Sequence, residues 1–222
     1  MSTTDGRAET PIPSLRDVFD RVSTDARVRV NAQESVYATG DDDDSVYLIE
    51  SGQVKLSMSS AEGKDCLLSI YTAGEVFGES CFDGTARRFE SAIAMQPTLV
   101  RRASRREFLI EVERASAYES LLRHLALRLA ERQGAVFDLV TIASERRLAK
   151  VLLSFAEKLG RSDGPHLRVD RISHEELSQI IGTTRPRITA FMQRFRKAGL
   201  IKTSGRTIHV NPQRIRDFLA RD

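Results

Sequence analysis

Cysteine is scarce in this chain: Cys66 and Cys81 are the only two in 222 residues. Two thiols make no disulfide framework, and an iron–sulfur cluster ordinarily needs four. Both read as buried strand cysteines, and neither an iron–sulfur cluster nor another metal is expected. The histidines, His124, His166, His174 and His209, are scattered without metal-ligand spacing. His174 stands at the start of a helical pattern and reads as exposed. Long hydrophobic runs are missing too. No stretch can span a bilayer, and residues 1–13 are polar, with no apolar signal-peptide core. A membrane partner is therefore not expected, the implied location is the cytoplasm, and residues 1–14 read as a disordered leader. The sequence also lacks Gly-x-Ser-x-Gly, a P-loop and paired histidine ligands. Glu75 and Glu79 put two carboxylates in one loop region, but no second catalytic group accompanies them. No catalytic residue is assigned, and an enzyme is not expected.

What is present is unevenly divided. Hydrophobic residues at 41% and charged residues at 29% suit a soluble globular chain, and the length holds two modest domains. The net charge of +3 hides an asymmetry: residues 145–222 hold 17 Lys and Arg against 8 Asp and Glu, +9, leaving 17 against 23, −6, in the rest. A basic piece joined to an acidic one fits a nucleic-acid module attached to something else.

Within the basic piece, residues 172–200 read as two short helices joined by a glycine turn. Ser173 and Glu176 form a capping-box pair ahead of Leu177, Ile180 and Ile181, which share one helical face. Gly182 suits a left-handed helix end, Thr183 or Thr184 can cap the next helix, and Pro186 falls in its first turn. Ile188, Phe191, Met192 and Phe195 then recur at i, i+3, i+4 and i+7 as a buried stripe. Arg185, Pro186, Thr189 and Gln193 face the other way, flanked by Arg187, Arg194, Arg196 and Lys197. Residues 201–210 read as a hairpin, or wing, around Ser204 and Gly205. A solvated basic hairpin shows some of these features. Cap, glycine turn, apolar stripe, basic start and wing in that order make a helix-turn-helix with its second helix in the major groove. Arg185, at the helix start, is the expected base reader, because arginine bonds guanine O6 and N7 together. The full DNA-contacting set expected is Thr183, Thr184, Arg185, Arg187, Thr189, Gln193, Arg194, Lys202 and Arg206.

The acidic half reads as short strands: 36–37, 46–49, 54–58, 67–70 and 75–77 are the clearest. Gly40 with Asp41 to Asp44, Ser51-Gly52, Glu62-Gly63 and Ala73-Gly74 punctuate them, which implies an antiparallel sandwich or barrel. The aspartate run reads as a solvated turn rather than a calcium loop, because no closing glutamate follows. Residues 117–142 then form one long helix. Leu122, Leu125, Leu129, Val136 and Leu139 mark a heptad seam, with Arg132 at a position expected to be apolar.

The strand pattern of residues 47–56, then Gly74-Glu-Val-Phe-Gly-Glu79, Gly84, an arginine pair, the long helix and the winged helix-turn-helix resemble the CRP/FNR superfamily of bacterial transcription regulators. The resemblance covers residues 15–220. It implies an α+β chain: a jelly-roll sensor of the cyclic-nucleotide-binding kind (15–115), a dimerisation helix and hinge (116–144), and a winged helix-turn-helix domain (145–222). It further implies a homodimer on a near-palindromic double-stranded DNA site, with RNA polymerase as partner. In nucleotide-binding members a glutamate holds the ribose and an arginine about ten residues on pairs with the cyclic phosphate. The matching residues are Gly78, Glu79, Ser80 and Arg88, with Arg87 beside them, and Arg132 and Gln133 fall where the long helix touches ligand. A cyclic nucleotide or other small effector is thus a candidate ligand of unfixed identity. Phe89 and Glu90 depart from the family pattern, and a second carboxylate opposes anion binding. An empty cassette would pair Glu79 and Arg88 with each other or with the long helix. Family members commonly carry Arg-Glu-x-x-x-Arg at the recognition helix. Here Arg185, Pro186 and Ala190 stand there, so a different half-site is implied. The competing expectation is a sensor module that acts through protein partners instead of DNA.

Overall fold

A computed structural model of the chain describes residues 13–23, 26–85, 87–170, 172–205 and 207–221. Most of the expected leader, and Arg206 of the expected wing contacts, lie outside them.

Ser14 caps helix α1 (Leu15–Phe19) in a reciprocal bond pair with Asp17. Eight strands follow, interrupted by one short 3-10 turn: β1 (Ala26–Val30), β2 (Ser35–Tyr37), β3 (Ser45–Ser51), β4 (Gln53–Ser59), β5 (Asp65–Thr72), β6 (Val76–Phe77), the turn at Glu79–Asp83, β7 (Ser91–Ala94) and β8 (Thr98–Ser104). They pair antiparallel into two four-stranded sheets, β1-β8-β3-β6 and β2-β7-β4-β5. Tyr37, Tyr47, Ile49, Val54, Leu56, Tyr71, Phe77 and Val100 fill the space between. Phe77 is the centre of this packing, its ring 5.2 Å from Tyr47 and 5.9 Å from Tyr71. Gly52 turns β3 into β4 with φ +97°, and an added Cβ would sit 2.7 Å from the Thr98 Cα, so only glycine fits. Strand β1 was not among the expected strands: Ala26, Val28 and Val30 alternate with Arg27 and Arg29, but the run is short and four of its five residues are exposed.

Helix α2 (Arg105–Arg114) closes the sandwich with α1, through Phe19 against Phe108. Helix α3 (Tyr118–Thr141) runs 24 residues, within one residue of the expected span at each end. Only Leu121 on it is buried. Leu122, Leu129, Val136, Phe137, Leu139 and Val140 are all more than half exposed, while Leu125 packs against the sandwich. Arg132 does not sit in that exposed seam. Its guanidinium turns inward and donates to the Leu68 carbonyl of β5. The helix stops at Ile142, whose backbone is extended.

Helix α4 (Ser144–Leu159) begins the last module, followed by β9 (Arg161–Asp163), β10 (His166–Asp170), α5 (His174–Ile181), α6 (Arg185–Lys197), β11 (Ile201–Ser204), β12 (Thr207–Val210) and α7 (Pro212–Leu219). The wing is larger than its sequence suggested, because β11 and β12 join β10 and β9 in a four-stranded sheet. Leu148, Leu152, Leu177, Ile181, Ile188, Phe191, Phe195, Ile208 and Ile215 make its core.

Two cysteine expectations change. Cys81 is buried in the 3-10 turn rather than a strand, and burial pushes its thiol up to about 12, which keeps it protonated and inert. Cys66 lies on β5 but is exposed, because β5 is a sheet edge whose first residues face solvent.

Candidate nucleic-acid interface and sensor cassette

The helix-turn-helix is assembled locally. The Ser173 hydroxyl accepts from the Glu176 backbone N–H at 3.1 Å, and the Glu176 carboxylate accepts from the Ser173 N–H at 3.0 Å. Gly182 ends α5 in the left-handed region at φ 67°. Thr184 occupies the cap position of α6, but its side chain makes no capping bond there, contrary to the sequence expectation. Burial of Ile188, Phe191, Met192 and Phe195 forces Arg185, Pro186 and Gln193 outward.

Between α6, the start of α5 and the wing lies an open cleft of about 540 Å³. His174, Arg185, Thr189, Gln193 and Arg196 line it with Thr203, Gly205 and Ile208, and no carboxylate is among the described lining residues. Arg196 reaches Thr203 of the wing at 3.4 Å. The expected contacts therefore separate. Arg185, Thr189 and Gln193 come together in the cleft. Arg187 and Arg194 instead face α4, bonding Ser144 at 3.1 Å and Glu145 at 2.8 Å. Thr183 and Thr184 form the turn, and Lys202 is exposed on β11. His174 was expected to be exposed, yet it is half-buried, with Nδ1 3.0 Å from the Thr189 hydroxyl. A contact across fifteen residues and a turn leaves no periodic signal in the sequence.

The sensor end is built around Arg88. Its guanidinium is fully buried, stacked 4.1 Å over the Tyr37 ring. Nε and Nη2 bond Asp43 at 3.0 and 2.8 Å, Nη1 bonds the Gly78 carbonyl at 2.8 Å and Ser80 at 2.9 Å, and Nη2 also bonds the Ser45 carbonyl. All five donors of an arginine are thereby engaged. Arg88 pairs with neither Glu79 nor the long helix. The expected solvated aspartate turn supplies its counterion instead. Asp43 is buried, and it also accepts from Tyr47 at 2.9 Å and Arg102 at 3.0 Å. Burial pulls the Asp43 carboxyl upward, but hydrogen bonds from Ser45 and Arg88 and the guanidinium charge outweigh it and hold the carboxyl below the usual range. Glu90 is buried next to this pair and accepts from Tyr37 at 3.0 Å and Ser80 at 2.8 Å.

Glu79 takes the other expected course. One oxygen lies 3.4 Å from the Tyr71 hydroxyl and 3.9 Å from Nε of Arg128 on α3, and its second oxygen is buried without a partner. Arg128 stacks on Tyr71 at 4.5 Å and reaches Glu75 at 3.3 Å, and Lys158 of α4 meets the same Glu75 at 3.0 Å. Arg87 points to the surface beside Asp42, and Gln133 is exposed on the outer face of α3. Gly78, Glu79, Ser80 and Arg88 thus converge, while Arg87, Arg132 and Gln133 do not join them.

A two-sheet sensor sandwich with a cassette turn, a long linking helix and a winged helix-turn-helix together define a DNA-binding transcription regulator. Residues 27–114 match the family model for a cyclic nucleotide-binding domain, and residues 146–218 match that for a Crp-like helix-turn-helix domain. The chain is 30% identical over 181 residues, 80% of each chain, to the CRP-like cAMP-activated global transcriptional regulator of Mycobacterium tuberculosis. It is 25% identical over 186 residues, 83% of each chain, to the cyclic AMP receptor protein of Thermus thermophilus. Its fold matches a CooA variant from Carboxydothermus hydrogenoformans with a TM-score of 0.76 at 21% identity, covering 94% of this chain and 96% of that one. The chain belongs to the CRP/FNR family of bacterial transcription regulators. A sensor acting through protein partners alone is not favoured.

Replacing Asp43 with Ala strands a buried guanidinium, and a loss of about 3–5 kcal/mol is expected in denaturant unfolding at pH 7. Because the folded carboxyl titrates below its unfolded value, the Asp43 contribution is complete above about pH 4 and disappears as pH falls further. The gap between wild type and variant should narrow in that acid window.

Proposed function

We propose that this regulator works as a homodimer that reads a near-palindromic DNA site, with Arg185 as its principal base reader. The observation that carries this reading is the cleft itself: Arg185, Thr189 and Gln193 project from the start and outer face of α6 into a space beside the wing that no described carboxylate lines. That is the part of a recognition helix that meets base edges. Thr183, Thr184 and Lys202 border the turn and wing, where phosphates run; Arg206, next in sequence to Gly205, is proposed as a further phosphate contact. Arg187 and Arg194 belong to the same set only after leaving Ser144 and Glu145. The dimer seam is the exposed stripe of Leu122, Leu129, Val136 and Leu139, with Leu125 at its margin, since so much apolar surface on one helix calls for a partner. RNA polymerase is the further partner that transcription control requires. No helix among the described residues is long and apolar enough to cross a membrane; the proposed site of action is the cytoplasm, where bacterial DNA lies.

The Mycobacterium tuberculosis relative is named for activation by cAMP. In this chain Arg88 has no donor left for a cyclic phosphate, and Glu90 adds negative charge beside it. An effector is read instead from the α3 side, where Glu79, Arg128 and His124 hold buried atoms without partners. Arg132, bonded to Leu68, and Gln133, on the outer face, then act in the helix rather than on a ligand.

Selection from random DNA followed by gel shift tests the reading, and failure to enrich any sequence would refute it. Arg185→Ala is expected to weaken the selected site by about 1–3 kcal/mol while sparing non-specific binding. Equal losses on both would make Arg185 a phosphate contact. Val136→Glu should shift the protein from dimer to monomer in sedimentation while leaving its thermal unfolding cooperative. Calorimetric titration with cAMP should give no saturable heat. Tight binding would overturn the reading of Arg88 as already neutralised.

A further inference from the structure

We infer that His174 reads a base: its neutral ring presents Nε2 as an acceptor for an exocyclic amine, cytosine N4 or adenine N6, in the major groove. This rests on the DNA-binding reading above and extends it to a residue outside the recognition helix.

The tautomer follows from one hydroxyl. Thr189 Oγ1 donates to the Arg185 carbonyl at 3.1 Å. A hydroxyl has a single proton, so in its 3.0 Å contact with His174 Nδ1 the threonine accepts. Nδ1 therefore carries the hydrogen. In the neutral ring Nε2 is then a lone-pair acceptor, and no described residue hydrogen-bonds it. The contact also fixes the ring against α6, one turn from Arg185, so the acceptor is held rather than mobile.

The cleft needs such a group. Arg185 and Arg196 bring only donors, and the carboxylate that would accept from an amine has no counterpart at Pro186. The two arginines by themselves read guanine and leave the partner amine unmatched, and although Gln193 and Thr203 also carry acceptor oxygens at the cleft, only the His174 ring is pinned by a contact to α6. His174 is thus an acceptor that the geometry holds in a fixed direction. Burial, then the charges of Arg185 and Arg196, lower its pKa, which keeps the ring neutral at pH 7. Arg185 and Arg196 are the charged groups that α6 turns toward it. The described wing residues at the cleft, Thr203, Gly205 and Ile208, carry none. On its own helix Glu175 is exposed, and Glu176 is turned to Ser173 and Lys55.

The test starts from the sequence selected by wild-type protein and measures affinity for every single-base change in one half-site. His174→Ala should weaken the selected site about five- to tenfold and erase discrimination at one base pair, with the others unchanged. Thr189→Val, which removes the acceptor that sets the tautomer, should blur the same base pair. Wild-type discrimination there should hold from pH 8 to about 6.5 and fade only as pH falls below that, because a protonated ring donates instead of accepting, and His174→Ala should show no such fading. A uniform loss across all sequences with a shallower salt dependence would make His174 a phosphate contact and overturn the inference. Unchanged discrimination in both variants would overturn it as well, and wild-type protein that selects no sequence would overturn this inference and the DNA-binding reading together. Thermal unfolding of each variant separates these results from loss of fold, and His174→Gln, which can keep both a donor to Thr189 and an acceptor, should restore part of the discrimination if Ala lowers stability.

Discussion

The buried pair of Arg88 and Asp43 is the interaction on which the sensor end depends. A guanidinium with no solvent exposure persists only if every donor is matched, and here Asp43, Gly78, Ser80 and Ser45 supply all the matches. Those partners come from the turn before β3, from β3 itself and from the cassette. The pair therefore pins the 43–45 stretch, the cassette and the segment that carries Arg88 to one point, with Arg102 of β8 adding a fourth. The same neutrality sets the chemistry. A site whose buried arginine already holds a carboxylate offers a phosphate little net positive field.

Coupling to the DNA module begins one layer out. Glu75, at the edge of the cassette, is shared by Arg128 of α3 and Lys158 of α4. Lys158 also bonds the Ile70 carbonyl, and Lys55 of β4 is paired at 2.8 Å with Glu176, the residue that closes the capping box of α5. Arg147 bridges the Leu139 and Ile142 carbonyls at the end of α3 to the Ile181 carbonyl at the end of α5. The sandwich, the long helix and the helix-turn-helix thus meet through half-buried ionic contacts that border an apolar one, since Leu67, Ile70 and Met95 of the sandwich are buried in the same cluster as the core of the DNA module. Contacts of this kind are modest in net worth and sensitive to geometry, which suits a junction that must respond to small displacements.

The DNA end shows how one helix serves two surfaces. Its apolar stripe fixes rotation, and rotation divides the arginines. Arg185 and Arg196 go to the cleft, whereas Arg187 and Arg194 go to α4 and lie over Phe191. Charge count alone does not tell these pairs apart. The buried stripe does, because a turn of 100° per residue sends neighbours to different sides.

Much of the architecture was legible because its signals are local. The capping box at Ser173 and Glu176, the left-handed Gly182, the stripe of α6 and the length of α3 each depend on residues within a few positions of one another, where backbone geometry links spacing directly to structure. The sensor motifs were legible in the same way, as an ordered run from Gly74 to Arg88. Other features needed the tertiary fold. Asp43 finds Arg88 across 45 residues, Arg132 leaves the heptad seam for a carbonyl on β5, His174 meets Thr189 across the turn, and β9 and β10 widen the wing. No periodicity encodes these contacts, since each depends on which strand edges and helix faces are brought together. The sequence alone determined the modules, their order and the output they serve. Only the packing of those modules decided which charges are neutralised and which remain to face a ligand or DNA, because that depends on distance and burial rather than on residue type.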